Sequence, residues 1–114
     1  MNQGAVKSWA RALERACKRL EDLARAVEQA GHDKIAKAIW YDADNLYSEQ
    51  LKPEIESGSS LEILRLTHNM ASRLRLHARL RGLSREGRKL AGDLAKRFEH
   101  AASVAQHWYE ETGV

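Results

Sequence analysis

The sequence predicts an all-α fold, an antiparallel four-helix bundle, and three observations predict it. Apolar residues recur at steps of three and four through most of the chain, only one proline occurs in 114 residues, and glycines paired with capping residues divide the chain into four stretches of helical length. With 43% hydrophobic and 31% charged residues the composition is globular rather than disordered, and β-branched residues are too few for an all-β fold. A chain of this length forms one domain, residues 1–114, with a single core that needs neither disulfide nor structural metal.

Helix 1 spans about residues 5–30, because Val6, Trp9, Leu13, Ala16, Leu20, Leu23, Val27 and Ala30 keep one apolar stripe for nearly four heptads. Gly31 supplies a left-handed stop and Asp33 the next N-cap, so a tight hairpin follows. Helix 2 spans about 34–51. Ile35, Ile39, Ala43 and Leu46 are central on its stripe, Trp40, Tyr47 and Leu51 lie on one flank, and Pro53 is expected to end it. Lys52 to Ser60, with Pro53, Gly58 and three serines, reads as a loop of about nine residues, long enough to turn tightly or to cross over.

Ser59 followed by Glu62 fits a capping box that opens helix 3, about 60–81, with Ile63, Leu66, Met70, Leu74, His77 and Leu80 on its stripe. The Gly82–Leu83–Ser84 step then separates it from helix 4, about 85–111, lined by Leu90, Leu94, Phe98, Ala101, Ala105 and Trp108. Short connections after helices 1 and 3 make antiparallel neighbours and favour an up-down-up-down order.

No apolar run approaches the length of a membrane span, no charged-then-apolar leader opens the chain, and the lone Cys17 has no intramolecular disulfide partner. A cytoplasmic protein is expected. Cys17 sits at the edge of helix 1's stripe as a small buried hydrophobe, and no cofactor is implied. His100 and His107 are two turns apart on an outward face, too far to share one ion, and no metal site is expected.

Charge is distributed unevenly. From Ile63 to Lys89 there are eight basic residues and one acid, whereas the rest of the chain holds 11 basic and 15 acidic residues. Arg65, Arg75, Arg79, Arg85, Arg88 and Lys89 form a candidate phosphate-contacting surface for nucleic acid, since the arginine fork suits bidentate phosphate contacts. Solvated helix surface, or pairing with the acids of helix 2, accounts for the same residues without any ligand. No sequence-reading helix-turn-helix is present, because His32 occupies a position that motif fills with an apolar residue.

Arg73 and His77 fall at i and i+4 on the inward side of helix 3. A buried cation needs a partner, and Asp42 at the border of helix 2's stripe makes Asp42, Arg73 and His77 a candidate buried polar cluster. A structural network is the expectation for it, not catalysis, and no phosphate loop or nucleophile–base pair accompanies it. Tyr41 falls opposite the apolar stripe of helix 2. Trp40, Tyr41, Asp44 and Tyr47 are therefore the candidate contacts for a protein partner, tyrosine and tryptophan being the side chains enriched at interface hot spots. The wide stripes of helices 1 and 4 also leave room for a homodimer. The sequence thus predicts a small non-enzymatic regulatory protein that binds a protein partner, with nucleic-acid binding as the alternative; short bacterial and phage proteins often share this composition.

Overall fold

A computed structural model describes residues 3–114, and among these the regular structure is entirely helical. Four helices account for it. They are α1 (Gln3–Gln29), α2 (residues 33–57), α3 (Ser60–His77) and α4 (Arg85–Thr112). α1 pairs with α2, α3 with α4, and α1 packs along α4; the C-terminal half of α2 meets α3. Each helix runs antiparallel to the one before it, giving a rod of 44 × 20 × 20 Å.

One cluster of buried side chains runs along the rod. Leu20, Leu23 and Val27 of α1, Leu51 of α2, Ile63 and Leu74 of α3, and Leu94 and Phe98 of α4 are fully enclosed. Burying each contributes about 1.5–3 kcal/mol. At one end the Trp9 and Trp108 rings close the cluster edge to face, 6.2 Å apart at 84°. The Trp9 Nε1 is buried without a hydrogen-bond partner, an arrangement that costs about 1–3 kcal/mol. Thr67, the other notable polar group of the core, donates its hydroxyl to the Ile63 carbonyl at 2.8 Å and is satisfied.

Four expectations about the middle of the chain are corrected. Pro53 does not end helix 2. The helix widens instead into a π-helical turn over Leu46–Leu51, between α-helical segments Asp33–Asn45 and Lys52–Ser57, and Lys52 donates its N–H five residues back to the Tyr47 carbonyl. The wider turn places Pro53 in the first turn of the following α-helical segment, the position at which proline is tolerated best. It also moves Leu51 into the core. An unbroken α-helix would set Leu51 about 140° round from Leu46, but both are buried here.

The expected nine-residue loop is consequently a two-residue turn, Gly58 and Ser59, with Gly58 at φ +77°. Nor does the capping box form. The Ser59 side chain caps nothing, Glu62 turns to Arg65, and the backbone N–H of Ser60 donates to the Val114 carbonyl at 2.8 Å, with the Ser60 hydroxyl on the same oxygen. Finally, α3 stops at His77 rather than near 81. Arg79 and Leu80 donate to carbonyls three residues back, which tightens the last turn, and the chain reverses in time for Leu83 to enter the core.

Two glycines of α4 carry opposite expectations. A Cβ on Gly87 would meet Leu83 Cδ1 at 2.8 Å and the Ala26 Cβ of α1 at 3.1 Å, whereas one on Gly92 meets nothing within 4 Å. Gly92→Ala should gain up to about 1 kcal/mol from helix propensity, while Gly87→Ala should lose about 1–2 kcal/mol net as α1 and α4 are pushed apart. Urea unfolding of the two variants compares them directly; equal shifts would mean that α1 and α4 do not meet at Gly87.

Charge follows the long axis. At one end the α1–α2 and α3–α4 turns lie together, joined where the His32 ring nitrogen Nε2 bonds the Arg81 carbonyl at 2.7 Å. Lys34, Lys37, Arg79, Arg81, Arg85, Arg88 and Lys89 surround them, against Glu28, Asp33 and Glu86. The opposite end joins the α2–α3 turn to the C-terminus, with Gly58 against Trp108, and carries Glu54, Glu56, Glu62, Glu110 and Glu111 against Lys7, Lys52 and Arg65.

Candidate functional site

The four aromatic and acidic residues of α2 do not form one patch. Trp40 and Tyr47 are half-buried at the seam with α1, where the Arg25 guanidinium stacks over the Trp40 ring at 5.3 Å and Tyr47 lines a shallow groove with Glu14, Cys17 and Lys18. Burial and the nearby Glu14 carboxylate push the Tyr47 hydroxyl pKa upward. Asp44 lines that groove from its outer edge. Tyr41 stands away from it on the outside of the bundle, 58% exposed, and the Asn45 side chain donates to its carbonyl at 2.9 Å.

Between α2 and α3 lies an open groove of about 430 Å³ lined by Leu46, Gln50, Arg65, Leu66, Asn69 and Arg73, with Ser72 at its edge. It exists because the N-terminal half of α2 packs on α1, and α3 meets α2 mainly at the π turn and beyond. Arg73 spans the gap. Its Nη1 donates to Asp42 Oδ2 at 2.9 Å, with Asp42 buried and Arg73 half exposed. The expected cluster is therefore brought together, but as a bridge at the groove mouth and not as an enclosed network, because the splayed helices leave Arg73 in water. His77 is half-buried beside the pair. Burial first, then the Arg73 charge, hold its pKa below the usual histidine range and favour its neutral form, partly offset by Asp42.

Cys17 lies beneath the same helix. Burial, with the Asp42 and Glu14 carboxylates adding to it, pushes its thiol up to about 12, the opposite of an activated nucleophile. Among the described residues no group of three or more histidine, cysteine or acidic side chains is placed to hold a metal ion.

The six basic residues divide into three kinds of environment. Arg65 pairs with Glu62 and stands roughly 20 Å along α3 from Arg79. Arg75 makes a two-point contact with Glu99 of α4, Nη2 to Oε1 at 2.6 Å and Nε to Oε2 at 3.2 Å, which holds the Glu99 carboxyl below its usual range. Arg79, Arg85, Arg88 and Lys89 flank the α3–α4 turn, all exposed, and among the described residues none of them forms an ion pair.

A third groove, like the other two, escaped the sequence reading. It runs between α1 and α4, encloses about 260 Å³, and is lined by Trp9, Ala12, Leu13, Ala16 and Ala101 with Lys96, Arg97 and His100 on one wall. Alanines on a helical stripe read as close packing; only the pairing of two alanine-lined faces beside a bulky tryptophan shows that they leave a trough. No helix is long and apolar enough to cross a membrane among the described residues. No known protein family, curated protein or solved structure matches the chain.

Proposed function

We propose that the protein works by binding a partner protein through the outer face of α2, with no reaction of its own. The exposure of Tyr41 carries this reading: a large amphipathic ring held on a rigid helix, contributing nothing to the core, offers contact area at little entropic cost. Asp44, one turn further along, supplies a polar edge beside it. Trp40 and Tyr47 support the helix against α1 and set its outer face. Affinity capture from the native source, with nuclease treatment as control, tests this. Tyr41→Ala should keep unfolding free energy within about 0.5 kcal/mol of the parent and lose the captured protein; a complex that survives the change moves the contact off α2.

A second reading rests on the unpaired cations at the α3–α4 turn, which would hold the phosphate backbone of a nucleic acid without reading its sequence. Changing Arg79, Arg85, Arg88 and Lys89 together to glutamine should then abolish retention on duplex DNA at moderate salt and leave protein capture intact. Retention unchanged by the fourfold change removes this reading.

A further inference from the structure

We propose that the α1–α4 groove binds a medium-chain carboxylate, with its aliphatic tail over Trp9 and its acid group against Lys96, Arg97 and His100. The trough is apolar where it is deepest, on Trp9, Leu13 and the alanines, and its polar groups are gathered on the α4 wall. Small-molecule sites have this character, an apolar lining with a few convergent polar groups that fix orientation. At its N-terminal end it opens into a further space of about 490 Å³ that shares Trp9, Ala12 and His100 and adds Val104, so a flexible tail has room to extend along the seam.

The charge on the wall selects the ligand. Lys96, Arg97 and His100 form no ion pairs among the described residues. The nearest acids in the chain make no ion pair with them: Glu99 is bound by Arg75 and feels Lys96 only at longer range, and Asp93, one turn before Arg97, does not reach it. Arg15, exposed one turn along α1 from Ala12, adds the same sign. An apolar trough with one cationic wall therefore favours an anionic amphiphile over a neutral or cationic one. It also disfavours a second copy of this chain, whose matching wall would bring like charges together. The indole N–H of Trp9, a residue that lines the groove, is buried without an acceptor and serves as a reporter of occupancy.

The intact protein is titrated with sodium decanoate and, separately, with decyltrimethylammonium, both below their micelle concentrations, while the Trp9 indole N–H resonance is followed. Decanoate should move that resonance saturably with a dissociation constant below about 1 mM, and the cationic probe should bind at least about tenfold more weakly. Lys96→Gln with Arg97→Gln, both at exposed positions, should weaken decanoate about tenfold and leave the cationic probe no weaker. Ala12→Leu should fill the trough and remove binding. Equal affinity for the two probes, or a decanoate affinity indifferent to the double glutamine change, overturns the proposal. So does a glutamate-rich amphipathic helical peptide that displaces decanoate with much higher affinity, or a dimer in sedimentation that Ala12→Leu dissociates, since the groove then belongs to a protein.

Discussion

Phe98→Ala is expected to lose about 3–5 kcal/mol of unfolding free energy, the largest effect of any single change considered for this bundle. Phe98 is the bulkiest fully buried side chain and sits midway along α4, the helix that packs on both α1 and α3. Alanine there forfeits the transfer free energy of the ring and leaves a cavity that long, regular helices collapse around poorly. Against a total stability of about 5–15 kcal/mol the loss is a fifth or more, and the midpoint of thermal unfolding should fall by roughly 10–20 °C. Leu76→Ala is the matched control. Leu76 is 64% exposed on the same hairpin, so its truncation should stay within about 0.5 kcal/mol. Urea unfolding of both variants measures the difference, and a Phe98→Ala loss below about 1 kcal/mol would contradict the packing described here.

Cys17 carries the second large effect, on the alkaline side. Its thiol is pushed from an ordinary 9.0 to about 12 in the folded chain, and it is 1% exposed. Below pH 9 the thiol is protonated in both folded and unfolded chains and stability is undiminished. Between pH 9 and 12 the unfolded chain releases this proton while the folded chain keeps it, so stability falls as pH rises, by about 1.4 kcal/mol per unit and about 4 kcal/mol in all. Cys17→Ala should flatten that limb. Tyr47, also raised, titrates in both proteins, and because Cys17 is a minor cause of its shift the difference between their stability curves from pH 9 to 11 reads the thiol together with that coupling. Parallel curves would mean that Cys17 meets water.

The contrast between the ends and the middle of the chain explains what the sequence disclosed. α1 and α4 are legible because each keeps a single apolar period for more than six turns with no residue that disturbs it. The middle is not, because the local rule for Pro53 is to stop a helix, and the alternative, one widened turn, depends on Leu51 gaining a place in the core that no local pattern reveals. The exposure of Tyr41 could be read from a wheel. That Asp42 would need a cation could be read too, but the half-open setting of Arg73 follows from the splay between α2 and α3, a property of two helices jointly. Likewise Ser59 had every local feature of a cap, and the Val114 carbonyl, 54 residues away from Ser60, took its place.

The large excess of cations at one end of a 44 Å rod, against a small excess of carboxylates at the other, has a kinetic consequence. At about 0.1 M salt, fields decay over about 10 Å, so neither pole feels the other, and an approaching molecule meets one sign at a time. As salt is lowered the two poles merge into a single long dipole, and the rod turns end-on in the field of a charged target before they touch. Encounter rates for such a body rise steeply on dilution of the buffer, even where the lifetime of the final complex is unchanged.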